Sequence, residues 1–269
     1  MFDEWFKYES GHAWCESAYK YQTSPMVAEF TNTITNLPIM VLPMVNAMLL
    51  RKYIKEINSM IFWPHLLLTI NGIASTYYHA TINLFGQLVD ELSLVWLLTI
   101  CLFSYLPIMK CFPEKWHKYI PQIRLYLGIF TIIVSILCFV EPSLNAIALM
   151  IFSIPGCFVI YYEGKHSGIE ETSKCVDRIS VLWGLAATFW VSDRIFCDFW
   201  LYLGTPYLHA MFHIFASWAG YTCFLMFSLI DIHKKSQKHK YIAKVKYIPS
   251  NNKGIFCIPY ITLLDKRIE

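Results

Sequence analysis

Residues 74–94 read ASTYYHATINLFGQLVDELSL. Ser75, His79, Asp90 and Glu91 stand here between two runs apolar enough to cross a membrane. Ionisable groups are costly to bury at bilayer depth, so their presence marks functional candidates. The flanking runs belong to a larger pattern. The chain of 269 residues is 56% hydrophobic, 15% charged and 17% aromatic, well short of the quarter charged that a soluble domain carries. Mean hydropathy is +0.43. A membrane helix needs about 20 apolar residues. Windows near 27–50, 59–83, 88–109, 123–140, 145–163, 179–200 and 207–230 qualify, the fourth extending earlier if it crosses Pro121. The expectation is an all-α membrane protein, a bundle of seven transmembrane helices.

The loops give a direction. Arg51, Lys52 and Lys55 follow the first window, Lys110, Lys115 and Lys118 the third, and Lys165, Lys174 and Arg178 the fifth. Lys234, Lys235, Lys238, Lys240, Lys244 and Lys246 follow the seventh, whereas connections 84–87, 141–144 and 201–206 contain no Lys or Arg. The positive-inside rule therefore predicts a luminal amino terminus and a cytosolic carboxyl terminus. Three parts are expected: a luminal segment over 1–26, a seven-span bundle over 27–231 and a basic cytosolic tail over 232–269. The tail is read as a flank obeying the charge rule rather than as an acidic-lipid signal. The amino terminus is acidic and lacks the basic-then-apolar order of a cleavable signal. Nine cysteines form no CxxC pair, which excludes a cysteine metal site.

With that direction, helix rise puts His79 about one turn, ~6 Å, from the luminal end of the second window. Ser75 lies four residues earlier on the same face, and Asp90 is expected in the first turn of the third span. The last span opens YLHAMFHIF, which places His209 and His213 at i and i+4 and aims both imidazoles at one point. An HxxxH pair alone is as often packing as ligation; the depth shared with His79 and Asp90 favours a metal. His65 is read as a packing residue, and Glu91, one residue out of phase with Asp90, should face elsewhere. Three neutral imidazoles with an open fourth position are the ligand set of a catalytic zinc, which lowers the pKa of bound water to about 7. Asp90 is then the candidate base, and Ser75 the candidate hydrogen-bond donor to a developing oxyanion.

The motifs WCES, VAEFTNTITN, STYYH, QLVDELSLVW, FWVSDRIFC and HAMFH occur in that order. In them the chain resembles the alkaline ceramidases, seven-span zinc amidohydrolases of the endomembrane system. The resemblance implies hydrolysis of ceramide to a sphingoid base and a fatty acid in the membrane of the endoplasmic reticulum or Golgi. It implies zinc on His79, His209 and His213, with Ser75 and Asp90 at the scissile amide. It also implies a disulfide between Cys15 and Cys197, and Asp193 is read as supporting the site from behind or packing with Arg194. The family's calcium site would fall on Trp14, Glu16 and Glu29, but Ala13 and Ala18 stand where two further ligands belong. Weak or absent calcium binding is therefore expected, unless Asp3, Glu4 or Glu9 compensates. Ceramide and the bilayer are the implied partners; neither nucleic acid nor a protein partner is. The competing reading is a seven-span lipid-sensing receptor with a structural zinc, which the loop charges oppose.

Overall fold

The computed structural model describes residues 5–9, 13–235, 240–249 and 254–265. Within these, helices dominate. A short α1 (Phe30–Ile34) leads into α2 (Leu37–Leu49) and α3 (Arg51–Glu56). Long helices follow: α4 (Phe62–Thr81), α5 (Leu84–Tyr105), α6 (Ile120–Val140), α7 (Asn145–His166) and α8 (Glu170–Ile195). A six-residue α9 (Cys197–Tyr202) precedes the last, α10 (Leu208–Lys235). Helix α10 packs along α8 and α2, α2 on α4, and α4 on α5; α6 and α7 lean on α5 from outside, and α7 also meets α8.

Each of the seven apolar windows is helical over most of its length. Among the described residues, four helical stretches are long and apolar enough to cross a membrane: Leu84–Ile108, Glu114–Val140, Pro142–His166 and Leu208–Lys235. The other three fall short for visible reasons. The first window breaks at Thr35–Asn36, leaving only 13 residues in α2. Helix α4 carries His65, Thr69, Asn71, Ser75 and His79, and α8 opens on Glu170, Glu171, Lys174, Asp177 and Arg178. The fourth window does begin earlier, as Pro121 occupies the first turn of α6, where its missing N–H is harmless.

Burial separates the helices. In α10 72% of the membrane-length window is buried, against 17% in α6 and in α7. The outer faces of those two helices expose Leu125, Ile129, Ile133, Ile136, Ile147 and Ile151. A continuous apolar exterior of this kind suits lipid rather than water. Near the far end of α10 from its histidines, Gly164 lets α7 meet its neighbours closely: a Cβ there would collide with Val176 and with Met226.

The carboxyl-terminal part, expected as a basic tail, contains a hairpin among its described residues. Strands β1 (Tyr241–Ile248) and β2 (Ile258–Asp265) pair antiparallel, Val245 opposite Ile261. Tyr241, Ala243, Val245, Ile261 and Leu263 join the main apolar core, while Lys244 and Lys246 turn outward. Arg178 donates to the carbonyls of Gly254 and Ile255, and the Tyr221 hydroxyl to that of Pro259. The Lys240 ammonium and the Tyr241 hydroxyl, both bonded to Glu56, hold its carboxyl below the ordinary pKa. Lys238 and His239 lie outside the described residues.

Ile261, in β2, is fully buried where the hairpin meets the core. Ile261→Ala should therefore cost about 2–5 kcal/mol and lower the melting temperature of the detergent-solubilised protein. Lys244→Ala, on the outward face, should leave it unchanged. Equal melting of both variants and the parent would show that the hairpin is not part of the core.

Candidate metal centre and catalytic site

Local sequence brings the end of α4 to the start of α5 in one tight turn. Asn83 caps α5, its side chain accepting from the Gly86 N–H at 2.7 Å. Ile82 before it takes a left-handed conformation with φ 44°, strained for a β-branched residue and fully buried. The cap starts α5 at Leu84, so Asp90 sits in the second turn of the helix rather than the first. His79 ends α4 at this turn, and α10 begins beside it with His209 and His213.

The three histidines meet. Their ligand atoms all lie within 4.8 Å of one another, and their side chains are 1–3% exposed. The Nδ1 of His79 donates to Glu29 Oε2 at 2.7 Å. That of His213 donates to the Asn32 carbonyl at 3.1 Å, with the Thr35 hydroxyl equally near. Acceptors on Nδ1 fix the tautomer and leave each Nε2 lone pair available. The Nδ1 of His209 is buried without a hydrogen-bond partner among the described residues. Two oriented lone pairs and one unsatisfied imidazole make a donor set able to hold a metal ion.

Ser75 and Asp90 lie beside this cluster. Asp90 is within hydrogen-bonding reach of Ser75 and close enough to His79 for their charges to interact. Ser75 is buried, whereas Asp90 keeps partial exposure. Asn71, one turn below Ser75, donates to Asp90 Oδ1 at 3.3 Å and to Ser93 at 2.8 Å. Sequence reasoning passed over Asn71, although its i, i+4 spacing from Ser75 was readable. Glu91 faces away, taking the Asn145 and Gln87 amides. His65 is satisfied between Asn46 and the Ile61 carbonyl.

The amino-terminal segment closes over the site. Cys15 and Cys197 form a disulfide, with Cα atoms 5.4 Å apart. Asp193 bonds to backbone on both of its carboxylate oxygens. Its carboxylate accepts the backbone N–H of Cys15 at 3.1 Å and that of His209 at 3.2 Å, tying the segment to the start of α10. Arg194 points to the same segment, donating to the Ala13 carbonyl and lying 4.3 Å over the Trp14 ring.

The three residues considered for calcium are engaged otherwise. Glu16 accepts the Thr31 and Asn32 N–H groups and so caps α1. Glu29 Oε1 accepts from the Trp14 N–H and the Ser17 hydroxyl, while Oε2 takes the Asn32 amide and His79. The Trp14 carbonyl accepts from Ser17 N–H. Every oxygen of both carboxylates thus already meets a protein donor. The contact between Glu29 and His79 spans 50 residues of chain, and no local spacing announces it. Asp3 and Glu4 lie outside the described residues, and the Glu9 N–H bonds the Ile82 carbonyl.

Known proteins share this sequence nearly end to end. An alkaline ceramidase of Caenorhabditis elegans is 62% identical over 264 residues, 98% of this chain and 97% of that protein. The alkaline ceramidase of Drosophila melanogaster is 32% identical, covering 93% and 86%. Human alkaline ceramidase 1 is 29% identical, covering 96% of each chain. The ceramidase family model matches residues 6–262. The chain belongs to the ceramidase family.

Proposed function

We propose that this ceramidase is a zinc-dependent amidohydrolase that cleaves ceramide into a sphingoid base and a free fatty acid. The observation that carries the reading is the convergence of three buried histidines beside Ser75 and Asp90 in a member of this family. Imidazole suits zinc, and three such ligands with one position open are the set found at catalytic zinc sites. A zinc ion there supplies Lewis acidity, making water nucleophilic near neutral pH and polarising the amide carbonyl.

The protein's own groups supply the rest. Asp90, held by Asn71, takes the proton of the attacking water and passes it to the departing amine nitrogen. Ser75 donates to the carbonyl oxygen as negative charge develops on it. Glu29 and the Asn32 carbonyl keep His79 and His213 in one tautomer. The lipid chains of the substrate extend into apolar surroundings, leaving the amide at the polar cluster. Glu16 and Glu29, bonded as described, support the reading that calcium binding is weak or absent.

We read the whole bundle as seven spans with the site at the luminal end and the hairpin in the cytosol. The loop charges support this direction, and an oxidising lumen, that of the endoplasmic reticulum or Golgi, suits the Cys15–Cys197 disulfide.

Two experiments test the reading. Purified protein should release fatty acid from ceramide, and Asp90→Asn should retain metal while turnover falls roughly 10²–10⁴-fold, as for loss of a general base. Near-normal turnover by that variant would remove Asp90 from the role. A glycosylation acceptor placed in 201–206 should be modified and one in 166–176 should not; the reverse pattern would overturn the luminal site.

A further inference from the structure

The three imidazoles are not held in the same way. His79 has a carboxylate behind it and His213 a backbone carbonyl, but the Nδ1 of His209 has no hydrogen-bond partner among the described residues. What His209 has instead is a ring on its face. The indole of Trp14 stacks on it with centroids 3.6 Å apart and planes 16° from parallel. The indole's position is in turn fixed from several sides. Arg194 lies 4.3 Å over the Trp14 ring and bonds the preceding Ala13 carbonyl at 3.0 Å. The Trp14 N–H is bonded to Glu29 at 2.8 Å, and the next residue, Cys15, is joined to Cys197. Trp190 meets the indole edge-on at 5.7 Å.

We propose that Trp14 is a positioning residue for the metal centre, its indole holding the His209 ring at the angle that a hydrogen bond sets for the other two. The inference rests on the reading of the three histidines as metal ligands, and deepens it. A flat aromatic face limits rotation of the imidazole about its side-chain bonds, while Arg194 and the disulfide keep that face from swinging away. The same arrangement gives the amino-terminal segment a part in metal retention: its backbone N–H at Trp14 steadies the carboxylate behind His79, and its indole steadies His209. Trp14 needs no contact with substrate to act in this way.

The test compares two substitutions of similar bulk in the full-length, detergent-purified protein. Trp14→Phe keeps a flat ring over the imidazole; Trp14→Leu keeps an apolar side chain but no flat ring. Zinc affinity is measured by competition with a chromophoric chelator, and ligand geometry by the visible spectrum after cobalt(II) replacement. Alkylation before and after reduction shows that the Cys15–Cys197 bridge is intact in each. Trp14→Leu should hold zinc more weakly by about tenfold or more, the range seen when a ligand's supporting contact is lost, with a shifted cobalt spectrum. Trp14→Phe should stay within about threefold of the parent, on the same scale. Parental affinity and spectrum in Trp14→Leu, or Phe as weak as Leu, would overturn the proposal while leaving the metal site standing. A parent protein that binds no zinc would instead overturn the three-histidine reading itself.

Discussion

The 2.7 Å contact between Glu29 and the Nδ1 of His79 is the constraint on which the histidine-bearing end of this fold depends. A carboxylate with no solvent exposure is tolerable only when donors surround it. Glu29 collects four, from Trp14, Ser17, Asn32 and His79. Meeting that demand draws together the amino-terminal segment, the first turn of α1 and the last turn of α4. The segment has a second anchor in the bond from the Ala28 N–H to the Ala80 carbonyl, and a third in the disulfide to the start of α9. Helix α1 is short because its beginning is committed to Glu16 and its end to the turn at Thr35–Asn36, which faces His213.

From that constraint follows the division of labour within the site. A histidine needs a fixed tautomer to offer a lone pair; the acceptors behind His79 and His213 set theirs. Asp90 belongs to a different environment, beside Ser75 and held by the Asn71 amide. At the other end of the bundle, the fully buried Asp231 bonds Tyr53 and Asn58 and pairs with Lys235. It joins α3 to the end of α10 close to the hairpin, and none of its partners belongs to the histidine cluster. Smaller polar contacts lie between the two ends, such as Thr99 with Thr131 and Trp96 with Ser135.

How much of this could be read from the chain alone varied with sequence distance. His209 and His213 announced themselves by i, i+4 spacing. His79, Ser75 and Asp90 followed from depth along the helix, and the structure gathers all five into one neighbourhood. The position of Asp90 within its helix was misjudged by one turn, because hydropathy marks where apolar residues begin and not where Asn83 starts the helix. The link from Glu29 to His79 was not legible, because it closes a loop of 50 residues that no periodicity reports. The hairpin was hidden by its own lysines: Lys244 and Lys246 read as a charge run, although Tyr241, Ala243, Val245 and Tyr247 alternate as one face of a strand.

The central claim is that His79, His209 and His213 jointly hold one catalytic zinc. It is tested most directly by counting zinc in the purified protein and in three single variants, His79→Ala, His209→Ala and His213→Ala. The account predicts one zinc per chain in the parent, and loss of both zinc and ceramide hydrolysis in each variant, because a three-ligand site has no ligand to spare. Full zinc occupancy in the variants, or ceramide hydrolysis by a metal-free parent, would contradict it.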